Sequence, residues 1–304
     1  MKITAKKFAA RMLVVSVSLF ATAALAEAVL PTPIPVTGVG LAAPESVFYD
    51  VQSDVYLVSN VNGTPLAQDN NGYISRVSPD GKVLDLKWIA SGVNGVRLNS
   101  PTGMAVVGST LYVADVHSVR KFDLKTGKPR GSITIPGTSF LNDLTSDRAG
   151  SVYVSDMGAI YEAKGFEPTG TDAVYKISPA GRVTVLAKGT QLLEPNGLLA
   201  LPGGKVQVAP FGSNETYTLD AKGQMSDRVK LPGGALDGVV ATDDGRLLVS
   251  SWETSSIYAI DAQGSVSVLA DKLPSPADIG WDSKRERVMT PILGENRLVF
   301  QNLK

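Results

Sequence analysis

The sequence predicts an all-β chain: a six-bladed β-propeller of four-stranded antiparallel blades, its ring closed by a strand from near the N-terminus. Three observations predict it. One pattern recurs six times, three of the five steps being 40 or 41 residues and the other two lengthened by loop insertions. Within each repeat, short runs alternate apolar and polar side chains and are joined by glycine turns, as hairpins are. Beyond residue 26, no stretch sustains a 3.6-residue period over ten positions.

Residues 1–26 read as a secretory signal peptide. Lys2, Lys6, Lys7 and Arg11 form a positive start, Met12 to Leu25 are mostly apolar, and Ala24-Leu25-Ala26 is a small-residue cleavage site. The expectation is a periplasmic or secreted protein with residues 27–304 as one propeller domain and no membrane insertion after cleavage. Without the leader, 25 basic side chains stand against 29 acidic ones, a net charge of about −4. That balance offers nothing to a nucleic acid or an anionic membrane. The chain has no cysteine, which excludes disulfides and thiolate chemistry. His117 is its one histidine, which excludes a zinc site built from several imidazoles.

The six repeats begin "PESVFYDVQSDVYLVSN", "PTGMAVVGSTLYVAD", "LNDLTSDRAGSVYVSD", "PNGLLALPGGKVQVAP", "LDGVVATDDGRLLVSS" and "PADIGWDSKRERVMTP". Each reads as an inner strand, a tight turn and a second strand. A further alternating pair follows in examples such as "AVYKISPAGRVTVLA" and "SIYAIDAQGSVSVLA". The sixth repeat ends one strand short after "NRLVFQN", and "PIPVTGVG", ahead of the first repeat, is placed to supply it. A β-sandwich fits the strand content but leaves six in-phase units unexplained. The insertion from Met157 to Asp172, with Tyr161 and Phe166, reads as a lid.

Inner strands of a propeller surround a central channel, so their second residues form a ring at one mouth. The members are Glu45, Thr102, Asn142, Asn196, Asp237 and Ala277. Two carboxylates and two carboxamide oxygens drawn together repel or go unsatisfied unless a positive charge lies between them. Oxygen donors select a hard cation. One divalent ion is expected on Glu45, Asn142, Asn196 and Asp237: calcium first, with magnesium, manganese or zinc following. Asp143 and Asp278, one residue further on, are candidates for a second ion or for bracing. Asn60, Asp115, Asp156 and Trp252, at second-strand ends, are candidates for lining the pocket.

The motifs "PESV", "LNDL", "PNGL" and "LDGV" resemble those of the senescence-marker-protein, gluconolactonase and luciferin-regenerating-enzyme-like propellers, and distantly those of paraoxonases. The resemblance spans roughly Leu30 to Lys304. It implies that Glu45, Asn142, Asn196 and Asp237 hold the metal, that Asp237 is the general base, and that the reaction opens a lactone or related ester. The family's sugar lactonases typically carry arginine two residues before the position of Asn142; here it is Phe140, which points to a less hydrophilic substrate. Thr102 and His117 fall at or next to the places of a paraoxonase histidine pair. With Asp115, Phe140 and Trp252, they form the expected substrate-binding set. The alternative is a non-catalytic binding propeller with a structural calcium ion, since "LYVADVHSVRKFD" also resembles the NHL repeat and propellers host many roles.

Overall fold

The computed structural model describes residues 30–304, so the expected signal peptide lies outside the described residues. Six four-stranded antiparallel sheets are arranged radially as a six-bladed propeller. In the first blade the strands are Pro44–Asp50, Val55–Asn60, Tyr73–Val77 and Val83–Ala90, counted outward from the axis. The inner strands of the next four blades are Pro101–Val107, Leu141–Ser146, Pro195–Leu201 and Leu236–Ala241. Burial follows this order. The second strand of the first blade is buried at every residue, whereas the outermost strand buries only its last two.

Because strand side chains alternate between faces, each blade presents an apolar face to both neighbours. The core is therefore divided into six clusters, one between each adjacent pair of blades. Between the first and second blades, for example, Leu57, Ile74 and Ile89 meet Met104, Leu111 and Phe122.

The ring closes through the predicted N-terminal strand. Ile34–Val36 pairs antiparallel with Arg297–Asn302 as the outermost strand of the sixth blade, Ile34 opposite Phe300 and Val36 opposite Leu298. Two further contacts seal the first blade to the sixth. The backbone around Glu45 and Ser46 bridges Asp278, whose N–H donates to the Glu45 carbonyl at 2.9 Å. At the outer end, the Tyr56 hydroxyl donates to Asp282 at 2.6 Å, and Arg285 bridges Asp282 and Asp54 at 2.8 Å each. Among the described residues, no helix is long and apolar enough to cross a membrane.

Candidate functional site

The sequence suggests plain hairpins; the structure inserts a β-bulge at the start of the inner strand. In the first blade Pro44 pairs with Asn60 and Val47 with Val58, so Glu45 and Ser46 together oppose Ser59. The second, third and fifth blades repeat this with Thr102-Gly103, Asn142-Asp143 and Asp237-Gly238, and the register slips likewise at Asn196. A bulge leaves one N–H without a ladder partner and re-aims a side chain. The orphan N–H is taken up by a second-strand serine: Ser46 donates to Ser59 Oγ, Asp143 to Ser155 Oγ and Gly238 to Ser250 Oγ, at 2.8–2.9 Å. Two of these serines in turn donate to the next blade, Ser155 to the Asn196 carbonyl and Ser250 to the Ala277 carbonyl. The ring of predicted residues is thus held from blade to blade through its own backbone.

Glu45, Asn142, Asn196 and Asp237 are all buried and line one pocket. Each presents a buried oxygen with no hydrogen-bond partner: Glu45 Oε2, Asn142 Oδ1, Asn196 Oδ1 and Asp237 Oδ1. Their other polar atoms show why these oxygens are left over. Asn142 turns its Nδ2 to Met157 Sδ at 3.6 Å, and Asp237 Oδ2 accepts from the Trp252 indole N–H at 2.8 Å. Four orphaned oxygens from four blades are a hard-cation donor set in kind. Among the described residues no three His, Cys, Asp or Glu side chains are arranged to share an ion, so any such site here depends on the two carboxamides.

The electrostatics carry the same strain. Burial, then the Asp237, Asp278 and Asp143 carboxylates, push Glu45 well above the usual carboxylate range. Burial and then Asp278 raise Asp237, against the Trp252 indole and the Asn196 carboxamide. Burial and Asp278 raise Asp143, although it accepts the Leu198 and Leu144 N–H groups at 2.6 Å. Burial pushes Asp278 up to about 7, opposed by the Ser46 hydroxyl that donates to it. Asp143 and Asp278 face the central channel from the other side of the ring and are not in the pocket lining. Both brace neighbouring strands.

Other expected pocket residues lie elsewhere. Asp115 accepts from the Asn99 and Ser100 N–H groups at 2.8 and 3.0 Å and from Arg120 Nε at 2.8 Å. Asp156 accepts from the Ser139, Phe140 and Gly158 N–H groups, and Asn60 Oδ1 from the Ala42 N–H. All three cap the loop leading into their own blade's inner strand, and none lines the pocket. A second-strand end faces that loop as closely as it faces the axis, and an unpaired loop N–H captures a carboxylate. His117 is half-buried and does not line the pocket either. Thr102 does, but its hydroxyl is committed to the Asn142 carbonyl at 2.6 Å.

The pocket wall is apolar. Val61, Met157, Phe211, Trp252 and Leu293 line it, and each immediately follows the second strand of its blade. Of these, sequence reasoning found Trp252 alone; the phase of the repeat was the signal for the rest. Phe140 is buried beside them with Met157 and Ala159. The insertion forms a hairpin, Ala159–Glu162 paired with Gly165–Pro168, whose Phe166 reaches into the pocket. The space left has room for about two water molecules.

Comparisons with known proteins place this geometry. The sequence model described as SMP-30/Gluconolactonase/LRE-like region matches residues 44–278. Among solved structures, a gluconolactonase from Xanthomonas campestris superposes with a TM-score of 0.66 at 17% identity, covering 90% of this chain and 91% of that one. Virginiamycin B lyase from Staphylococcus aureus gives 0.62 at 12% identity, over 90% and 99%. A chain of the nidogen/laminin complex gives 0.56 at 18% identity, over 75% and 78%. At these identities the likeness is one of fold, which a gluconolactonase, a lyase and a chain of the nidogen/laminin complex share. No curated protein matches in sequence.

Proposed function

Since the chain belongs to the SMP-30/gluconolactonase/LRE-like family, we propose that it is an exported, divalent-metal-dependent hydrolase that opens a lactone or a related ester. The observation that carries this reading is the set of four buried oxygens without partners, one from each of four blades. Glu45, Asn142, Asn196 and Asp237 would hold the ion, calcium first, and the two carboxylates balance its charge. When bound, a divalent cation supplies Lewis acidity to the ester carbonyl and shelters the charge developing on its oxygen.

The chain's own residues supply the rest. Asp237 has one oxygen anchored by Trp252, so its carboxylate keeps a fixed orientation and offers Oδ1 to a water proton. That water's oxygen bonds to the carbonyl carbon, and the ring C–O bond breaks. The alkoxide leaves with the proton Asp237 carried. Phe140, Met157 and Phe211 keep bulk water from the carbonyl.

The test is hydrolysis of sugar lactones, aliphatic γ- and δ-lactones and aryl esters, after chelation and again with calcium, magnesium, manganese or zinc restored. Metal-restored turnover on any member supports the enzyme. The small volume of the pocket favours one second reading, a binding propeller whose calcium only ties the blades together. If no substrate turns over while calcium still raises Tm, that reading replaces the first. Export rests on residues 1–26 and is checked by the N-terminus of the protein recovered outside the cytoplasm.

A further inference from the structure

We propose that Phe166, on the hairpin over the mouth, occupies the place of an apolar substituent of the substrate. The site would then take lactones or esters bearing an alkyl or aryl group, not polyhydroxylated ones. The word substrate rests on the hydrolase reading above; the apolar binding place does not.

Three observations carry it. The first is the lining. Apart from the four donor residues and the Trp252 indole, whose N–H is given to Asp237, the polar side chains at the pocket are the two hydroxyls of Ser100 and Thr102. Thr102 donates to the Asn142 carbonyl, and Ser100 Oγ accepts the Leu66 N–H at 3.2 Å. Two hydroxyls, each already in one hydrogen bond, are too few to replace the water that the several hydroxyls of a sugar lactone would lose among the rings. The second is an unbroken row of rings. Phe140 stacks on Phe166 with centroids 5.8 Å apart and planes at 18°. Phe166 meets Phe211 edge-on at 5.8 Å, and Phe211 meets Trp252 at 5.5 Å. The row thus runs from the hairpin to the indole that holds Asp237.

The third is that Phe166 is the removable member of the row. Its hairpin pairs only with itself and lies between the second and third strands of the third blade, outside that blade's ladder. The ring is half-buried, and with it in place the pocket holds about two waters. A lactone needs more room than that, and Phe166 is the lining ring whose hairpin lies outside the blade ladder. An alkyl or aryl group restores the contacts with Phe140 and Phe211 that the departing ring gives up; a polyol does not.

The experiment uses calcium-saturated protein and δ-lactams, which resemble the lactones but resist hydrolysis. Lactams bearing hydrogen, propyl or hexyl, and a polyhydroxylated sugar lactam, are titrated by calorimetry. Kinetics on the matching lactones run in parallel. Affinity is expected to rise about three- to fourfold per methylene along the first part of the chain. The sugar lactam should bind more weakly than the propyl one. Phe166→Ala, on a hairpin outside the blade ladders, should keep its Tm within a few degrees and bind the hexyl lactam about tenfold more tightly. A flat chain-length dependence, or preference for the sugar lactam, overturns the substrate class. A retained slope with no gain in Phe166→Ala overturns the role of the ring. If the lactams bind as expected and no lactone is hydrolysed, the apolar site stands and the hydrolase reading falls.

Discussion

Asp237 combines two demands that oppose each other at the level of one side chain. Its burial, and then the Asp278 carboxylate, favour the neutral acid, whereas the proposed base must be charged. Trp252 and Asn196 work against burial, and a bound cation would complete the correction. Asp237→Asn keeps the shape and removes the proposed base. Lactone hydrolysis is expected to fall at least a hundredfold, with Tm within a few degrees; a collapse of Tm would assign the residue to structure. The ring residues were legible in the sequence because the repeat phase puts them at one position of six. The directions of Asn60, Asp115 and Asp156 were not. Whether a strand-end carboxylate faces the axis or its own loop depends on which backbone N–H groups lack partners, and one-dimensional spacing does not encode that.

At the scale of the strand, the inner edge of each blade shows how close the neighbours come. Side chains added at Gly103, Gly197, Gly238 or Gly280 would run into the Asp143, Asp237, Ile279 and Val47 segments of the next blade. Gly197 stands against the carbonyl of Asp237 itself. Gly197→Ala is expected to cost about 3 kcal/mol of stability, the upper end of overpacking effects, read as a lower urea midpoint. Calcium affinity by calorimetry should fall with it, because Asn196 and Asp237 are pushed apart. The bulges themselves escaped sequence analysis. Their one trace is the recurring serine before the last residue of a second strand, Ser59, Ser155 and Ser250, which acquires meaning once the extra N–H is seen.

The outer turns carry a second strand-scale device. The Asp220 carboxylate is held below its ordinary value by the Gln224 and Lys222 N–H groups, and Asp261 by the Ser265 N–H and then, after a smaller opposing effect of burial, the Gln263 N–H. A carboxylate depressed in the folded state stabilises it above the ordinary aspartate value of about 3.9 and ceases to as pH falls through the depressed value. Urea midpoints should therefore drop from about pH 4 downward. The double variant Asp220→Asn, Asp261→Asn should show a shallower drop; an unchanged slope would remove these turns from the account.

Over the whole molecule, fold and blade number were legible because each blade needs the same alternation to bury two faces. The closing strand could be found by counting the strands the last repeat lacks. Val36 is buried against Leu298 and Phe300 in the cluster between the sixth and first blades. Val36→Asp is expected to detach the closing strand and leave Arg297–Asn302 as a bare edge, detected by size exclusion as self-association. The same strand also sets the order of assembly. Residues 34–36 pair with partners near residue 300, and the loop-closure entropy of so distant a pairing favours its forming late. Until then every intermediate is an open arc with two unsealed ends, and the oxygens of Glu45 on the first blade and Asp237 on the fifth have no fixed separation. The proposed ion would then bind only on closure, and calcium uptake during refolding would report the moment the two ends of the chain meet.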